Sequence, residues 1–320
     1  MRLVFMGTPD FAVPSLRALV KGGHEVVGVF TQPDRPAGRG KKVKPSPVKI
    51  AAEELGLAVF QPEKIKTAEG IHQLLALAPD GIIVVAYGQI LSREILQFPA
   101  RGCINVHASL LPSYRGAAPI HWAVMRGETR TGVTTMLMDE GLDTGDMLLK
   151  REVLISNEAT TGEIHDELAD LGGELLLDTL HQLAMGRLIA TPQTGESNYA
   201  PLLKREHEGL DWSRRATKLH DQIRGLNPWP GAFATFRGEN LKIWRGMPCL
   251  ELDKGMDADA SSKAATVEPG QILQVLEDGL VVQTGEGVLR ILEVQPAGKR
   301  AMPAKDFFNG RHGQVGEKLG

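Results

Sequence analysis

The chain has 320 residues, a formal net charge of −3, 42% hydrophobic residues and 23% charged residues, which is typical of one large or two ordinary globular domains. Such a small negative charge excludes a globally basic nucleic-acid binder, so any nucleic-acid site must be local. No apolar run approaches the roughly 18 residues of a membrane span. Cys103 and Cys249 lack the spacing of a zinc site or a disulfide framework, and we expect a cytoplasmic protein.

The first half of the chain alternates strand and helix patterns. Five apolar runs have the length of buried strands, namely 2–6, 25–31, 58–61, 81–87 and 103–108. Two aliphatic, β-branched runs at 131–139 and 145–155 predict an antiparallel extension, and helical spacing over 161–186 closes the unit. This order predicts a doubly wound α/β domain over 1–186 with a largely parallel sheet.

The pattern changes after residue 186. Residues 187–206 are rich in Thr, Pro, Gly and Ser and have no period, so we interpret them as a linker. Beyond a helix candidate at 214–226, short strands and turn signals predict a small β-barrel domain over 207–320.

The strand at 103–108 carries two polar residues, Asn105 and His107, which share a face because side chains two apart on a strand point the same way. Ligands of open α/β sheets bind at the carboxyl ends of the strands. Downstream, Asp143 lies between two glycines in an acidic loop. A structural Asn with a hydrogen-bonded core His, and a solvated acidic loop, are the alternatives.

These three side chains can together serve acyl transfer without a covalent intermediate. Asn105 could donate a hydrogen bond to a developing oxyanion. His107 could stabilise the same charge or move a proton, and Asp143 could orient His107 or accept a proton from an attacking amine. The sequence lacks GxGxxG after the first strand, a Walker motif and HExxH-like spacing, so we expect neither a dinucleotide nor a metal.

A strongly basic stretch follows the second predicted strand. Residues 31–49 contain six Lys and Arg against one acid, Asp34, and their prolines and glycines argue against regular structure. Because this stretch lies at the same edge of the sheet as Asn105, it is a candidate clamp for a phosphate backbone. A solvated loop is the alternative.

Several stretches together resemble one family. They are GTPDFAVPSL, TQPDRPAGRGKK, INVHASLLPSYRGAAPI, MDEGLDTGDML, NPWPGAF and QPAGKRAM. Over its whole length the chain resembles the 10-formyltetrahydrofolate-dependent formyltransferases, and among them the bacterial methionyl-tRNA formyltransferases. The resemblance implies a Rossmann-like N-terminal domain and a smaller C-terminal OB-like β-barrel domain that binds tRNA.

The resemblance also implies roles for individual residues. The catalytic residues would be Asn105, His107 and Asp143. The folate site would be lined by Ser109, Leu110, Leu111 and Pro112. The tRNA acceptor stem would be approached by Arg39, Lys41 and Lys42.

The implied activity is transfer of a formyl group from 10-formyltetrahydrofolate to the amino group of methionine on initiator tRNA, by direct amine attack, for translation initiation. Initiator methionyl-tRNA and the folate donor would be the partners of a monomer that does not associate with a membrane. Three alternatives stay open: a formyltransferase for a small amine, a formyl-folate hydrolase and a non-catalytic tRNA-binding module. The first two have no need of the basic stretch, and the third has no need of the Asn, His and Asp set.

Overall fold

The structure is a computed structural model that describes residues 1–37, 42–249 and 267–320. Contacts divide the chain into two units. The first unit comprises Met1–Pro119, Arg130–Leu154 and His165–Pro201, and the second comprises Ile120–Thr129, Ile155–Ile164 and Leu202–Gly320. None of the helices in the described ranges is both long and apolar enough to cross a membrane.

The elements up to residue 201 follow the predicted alternation of strands and helices. The strands are β1 (Arg2–Gly7), β2 (Glu25–Phe30), β3 (Arg35–Ala37), β4 (Lys42–Lys44), β5 (Val59–Phe60), β6 (Gly81–Val85), β7 (Cys103–His107), β8 (Arg115–Gly116), β9 (Arg130–Leu137), β10 (Met147–Leu154) and β11 (Tyr199–Ala200). The helices are α1 (Val13–Lys21), α2 (Pro47–Glu54), α3 (Ala68–Leu75), α4 (Arg93–Gln97), α5 (Pro119–Arg126) and α6 (Thr161–Ala184).

Seven of these strands form the main sheet of the first unit, in the order β10-β9-β7-β6-β1-β2-β5. The five strands from β7 to β5 are parallel, whereas β9 and β10 are antiparallel additions. Residues of β6 and β7 are buried throughout, as expected for parallel strands covered on both faces. The carboxyl ends of β1, β6 and β7 lie at one edge, where the strand order reverses direction and ligands bind in such sheets.

Local sequence signals explain where several helices begin and end. The Ser46 hydroxyl caps α2 by accepting a hydrogen bond from the Lys49 amide at 3.0 Å, and Pro47 takes the first helical position. Thr67 caps α3 in the same way. Helix α1 ends at two glycines, of which Gly23 has a φ of +75°, a left-handed conformation that suits glycine after a helix.

The expectation of no regular structure in the basic stretch was wrong for its described part. Strands β3 and β4 pair antiparallel, with Arg35 opposite Lys44 and Pro36 opposite Val43. Pro36 is tolerated here because both strands of a two-stranded ribbon are edge strands, where proline's lack of an amide donor is acceptable.

The stretch predicted to be a linker includes residues that contact the first unit. Thr191 and Met147 exchange two main-chain hydrogen bonds of 2.9 Å, and β11 pairs in parallel with β8. Residues up to Pro201 therefore group with the first unit.

The second unit is built on antiparallel strands. Its elements beyond residue 201 are α7 (Ala216–Gly225), β12 (Ala232–Phe236), β13 (Glu239–Cys249), β14 (Ile272–Val275), β15 (Leu280–Gln283), β16 (Val288–Pro296), β17 (Met302–Pro303) and α8 (Ala304–Gly310). The sheet order is β12-β13-β16-β15-β14, and β17 pairs with β16. Leu219, Ile243, Ile291 and Phe308 are among the side chains of its core. The predicted fold class, a Rossmann-like sheet followed by a smaller antiparallel domain, is confirmed.

Candidate active site

The carboxyl-terminal half of β7 places the two polar residues singled out by the sequence. Asn105 pairs with Val84 of β6 and Met136 of β9, so it lies between two buried strands and is only 8% exposed. Within the described part of the chain, no hydrogen bond involves the Asn105 side chain. The amide is not among the fully buried polar groups that lack a partner, so its atoms remain open to solvent. Asn105 is thus available to a ligand.

The His107 ring contacts groups of different chemistry on its two sides. Nε2 lies 3.0 Å from the main-chain oxygen of Tyr114. Because a carbonyl oxygen can only accept a hydrogen bond, Nε2 carries a proton in this arrangement. Nδ1 lies 3.8 Å from Oδ2 of Asp143, and the two side chains are 7% and 13% exposed. Nδ1 is therefore the ring nitrogen that can gain or lose a proton, and it faces a carboxylate.

Asp143 reaches this position through an unusual backbone conformation. Its φ is +53°, in the left-handed region where non-glycine residues are uncommon and Asp and Asn are enriched. Its Oδ2 accepts a 2.8 Å hydrogen bond from the Gly116 amide, which fixes the carboxylate that faces His107. Gly116 itself has a φ of +112°, and a Cβ there would lie 2.9 Å from the oxygen of Ala200. Glycine is thus required where the amide meets Asp143.

Two residues that sequence reasoning missed hold the loops of this site. The Gln193 side chain donates hydrogen bonds of 2.8 Å to the oxygens of Asp143 and Gly145. Asn198 accepts a hydrogen bond from the Tyr114 amide through its side chain. Both lie in the stretch interpreted as a linker, and no local pattern could have found them because their partners are 48 to 84 residues away in sequence.

The predicted folate-binding residues fall into two pairs. Ser109 and Leu111 are buried, and the Ser109 hydroxyl donates to the oxygen of Ser113 at 2.6 Å. Leu110 and Pro112 are partly exposed. The turn is held by Thr134, whose hydroxyl donates to the oxygen of Ser109 at 2.7 Å.

The residues predicted to contact tRNA are only partly covered by the structure. Arg39 and Lys41 lie outside the described residues, and Lys42 begins β4. The start of this stretch is anchored, since Asp34 Oδ2 lies 2.6 Å from Lys49 Nζ and Gln61 Nε2 donates to Oδ1 at 2.7 Å. These hydrogen bonds lower the pKa of the Asp34 carboxyl below its ordinary value of 3.8.

The cysteine closest in sequence to the site is poorly suited to nucleophilic catalysis. Burial raises the pKa of the Cys103 thiol to about 12, and its Sγ lies 3.6 Å from the oxygen of Ile95. A thiol in such surroundings stays protonated and packs as a small apolar group. In the three described ranges, no cluster of three or more His, Cys, Asp or Glu side chains could hold a metal ion.

Comparison with known proteins covers nearly the whole chain. Residues 1–180 match the sequence model of the formyl transferase family, and residues 202–312 match that of the formyl transferase C-terminal domain. The chain is 52% identical over 320 residues to the methionyl-tRNA formyltransferase of Pelotomaculum thermopropionicum, an alignment covering all of this chain and 99% of the relative. It is 49% identical over 324 residues to the methionyl-tRNA formyltransferase of Bacillus subtilis, covering all of this chain and 98% of that relative.

Solved structures of lower identity share the fold. HypX from Aquifex aeolicus, in complex with tetrahydrofolic acid, has a TM-score of 0.62 at 21% identity, covering 99% of this chain and 48% of that chain. The sugar 3N-formyl transferase WlaRD has a TM-score of 0.64 at 17% identity, covering 94% of this chain and 99% of that chain. Because both formyl transferase sequence models match it, and relatives at 52% and 49% sequence identity align along its whole length, this chain belongs to the formyl transferase family.

Proposed function

We propose that this chain transfers the formyl group of 10-formyltetrahydrofolate to the α-amino group of methionine esterified to initiator tRNA, as a monomer in the cytoplasm, for translation initiation. Relatives that align along the entire chain carry the name of that activity. The single observation that carries the chemistry is the unpartnered Asn105 amide two residues before His107, whose Nδ1 faces Asp143 at 3.8 Å. This arrangement supports the proposal that an oxyanion donor and a proton carrier share one strand.

The catalytic cycle needs one proton to be removed and returned. When the α-amino nitrogen attacks the formyl carbon, the carbonyl π electrons move to oxygen, and Asn105 donates a hydrogen bond to that oxyanion. The ammonium that forms loses a proton to Nδ1 of His107, because Nε2 is already protonated toward Tyr114. Asp143 stabilises the resulting imidazolium, whose charge also favours the oxyanion. As the C–N bond to the folate breaks, His107 returns the proton to the departing nitrogen.

The donor supplies an activated formyl group when bound. Leu110 and Pro112, the partly exposed members of the predicted folate set, would contact it. Ser109 and Leu111, which are both buried, would instead fix the turn that carries Leu110 and Pro112. An apolar wall with a few fixed polar groups is the usual composition of a site for a ligand of this size. The tetrahydrofolic acid complex of HypX, a protein of similar fold, supports the presence of a folate site.

The acceptor is assigned partly from the basic stretch. Arg39, Lys41 and Lys42 carry concentrated positive charge in a protein of net charge −3. Phosphate groups of an RNA acceptor stem are the substrate feature that such charge attracts. A small amine acceptor would leave this charge without a function.

A competition among acceptors tests the proposal. Purified protein with labelled formyl donor is offered charged initiator tRNA, charged elongator methionyl-tRNA, free methionine and an amino-sugar nucleotide. Label should enter N-formylmethionine on initiator tRNA at the highest kcat/KM. Preferential labelling of the sugar nucleotide, or release of formate with every acceptor, would overturn the proposed acceptor.

A further inference from the structure

The side-chain amide of Gln193 forms hydrogen bonds to two separate parts of the candidate site. Its Nε2 donates to the main-chain oxygens of Asp143 and Gly145, both at 2.8 Å. Its Oε1 accepts from Nε and Nη2 of Arg115, at 3.1 Å and 2.7 Å. A carboxamide has two donor hydrogens and two acceptor lone pairs. All four are thus engaged by protein groups.

The two ends of this amide converge on one carboxylate. The Nε2 end holds the main chain of Asp143 itself, at a residue whose φ of +53° has to be maintained. The Oε1 end holds Arg115, the neighbour of the glycine whose amide donates to the Asp143 carboxylate. The direction of Asp143 Oδ2 toward His107 therefore depends on both ends of Gln193.

The loop around Asp143 has few other means of keeping its shape. Leu142 is 61% exposed, so its side chain contributes little packing. Two other hydrogen bonds hold the segment. The Leu137 amide donates to the main-chain oxygen of Asp146 at 2.9 Å, and the Thr144 hydroxyl donates to the Asp139 carboxylate at 2.7 Å. Neither of these contacts reaches Asp143. Among described residues, Gln193 supplies the side-chain bonds to the main chain at that position.

We propose that Gln193 is a positioning residue for formyl transfer, a role that rests on the proposed function above. It acts through Asp143, by holding the carboxylate beside His107 Nδ1, where it stabilises the imidazolium that forms in the proposed reaction. Misplacing a catalytic group by about 1 Å can cost roughly 10² in rate. The predicted linker would then be part of the catalytic machinery and not merely a connection between domains.

Two substitutions separate the functions of the amide. Gln193→Glu keeps oxygens for Arg115 but places an oxygen opposite the carbonyls of Asp143 and Gly145, so both donated bonds are lost. Gln193→Met has a similar length and removes all four bonds. Glu196→Gln is the matched control, since Glu196 is an exposed residue of the same segment.

Steady-state kinetics with charged initiator tRNA give the first readout. Gln193→Glu should lower kcat about 10²-fold, with KM for both substrates within about twofold of wild type, and Gln193→Met should be at least as impaired. The pH dependence of kcat should change in both variants, because the His107–Asp143 pair is displaced. Glu196→Gln should match wild type. A raised KM with normal kcat in both variants would overturn the positioning role, and so would unchanged kcat and pH profile.

Hydrogen exchange separates a failure of this inference from a failure of the proposed function. The Gly116 amide, which donates to Asp143, should exchange faster in Gln193→Glu than in wild type and Glu196→Gln, whatever the acceptor of the enzyme is. If wild type does not formylate tRNA, this exchange measurement alone decides whether Gln193 holds the site. Equal protection of Gly116 in all three proteins would overturn the inference.

Discussion

The Asp143 carboxylate lies 3.8 Å from Nδ1 of His107, on the side of the ring opposite the 3.0 Å contact of Nε2 with the Tyr114 oxygen. A separation of 3.8 Å is longer than a hydrogen bond but short enough for strong attraction between a carboxylate and an imidazolium. In the proposed mechanism the carboxylate stabilises the imidazolium that forms during the reaction, and no short hydrogen bond to Asp143 occupies Nδ1. We infer that this arrangement leaves Nδ1 free to exchange a proton with the reacting amine.

Replacing the Asp143 carboxylate with an amide tests the pairing with little disturbance of the backbone. Asparagine readily adopts the left-handed φ of +53°, and its side-chain oxygen can still accept a hydrogen bond from the Gly116 amide. Asp143→Asn should lower kcat by roughly 10²–10⁴, the range for general acid–base groups, with little change in donor affinity. Kinetics with charged initiator tRNA and equilibrium binding of the donor provide the two measurements. Turnover within threefold of wild type would exclude a charge role for Asp143.

The close approach of Gly145 to the main chain of Leu137 predicts a sharp difference between two glycines. A Cβ at Gly145 would overlap the main-chain oxygen of Leu137, whereas nothing lies within 4 Å of a Cβ at Gly310. Gly145→Ala should therefore lower the free energy of unfolding by about 1–3 kcal/mol, as overpacking usually does, and should also lower kcat. Gly310→Ala, the matched control, should have nearly wild-type stability and activity. Denaturant unfolding of both variants tests this, and equal stabilities would contradict the packing argument.

Residues with a strong local pattern were predictable from sequence. Asn105 and His107 end an apolar run. Their spacing of two predicted a shared face, and their place at the carboxyl end of a parallel strand predicted the ligand-binding edge of the sheet. The antiparallel addition of β9 and β10 was expected from their β-branched composition. Gln193 and Asn198 could not be predicted in this way. Their roles depend on hydrogen bonds between segments far apart in sequence, and a polar stretch without a period gives no sign of such partners.

The basic stretch shows a different limit of sequence reasoning. Counting prolines and glycines indicated a loop without regular structure, but Arg35 and Lys44 are paired in a short ribbon. Composition describes each residue separately, whereas a two-stranded ribbon depends on the register between two segments. The charge of the stretch was nevertheless visible from sequence, and its proposed role in tRNA binding depends on charge.

The anchor at the start of the basic stretch predicts a pH-dependent stability. Hydrogen bonds from Lys49, the larger cause, and Gln61 lower the pKa of Asp34 below 3.8. A carboxyl with a lowered pKa in the folded state contributes stability above its unfolded pKa and loses it as the pH falls through the folded pKa. Asp34→Asn should thus be less stable than wild type at pH 7, and the difference should shrink below about pH 4.

Urea unfolding at a series of pH values measures that difference. Glu53→Gln is the matched control, since it removes a carboxylate from an exposed position of α2. Its stability should stay close to that of wild type at pH 7. A stability difference between wild type and Asp34→Asn that is constant from pH 7 to pH 3 would show that the carboxylate is not the stabilising group.

The basic stretch predicts a salt dependence of tRNA use. Each phosphate contact contributes about 0.7–0.9 to the slope of log affinity against log salt. Replacing Arg39, Lys41 and Lys42 together with alanine should therefore flatten the slope of log kcat/KM against log salt for charged initiator tRNA by up to about 2–3 units. Arg39→Lys should remain clearly defective, because lysine cannot reproduce the forked contact of a guanidinium group. Donor affinity should be unchanged, and an unaltered salt slope in the triple variant would contradict tRNA binding by this stretch.

Single-turnover formyl transfer by wild type and Asn105→Ala is the most direct test of the proposed chemistry. Enzyme loaded with labelled 10-formyltetrahydrofolate is mixed with charged initiator tRNA and quenched at increasing times, so that product release does not enter the rate. Wild type should form N-formylmethionyl-tRNA, and Asn105→Ala should do so roughly 10²–10³ times more slowly, the usual loss of one oxyanion donor, with donor affinity unchanged. Equal single-turnover rates in the two proteins would contradict the assignment of the unpartnered Asn105 amide to the transition state.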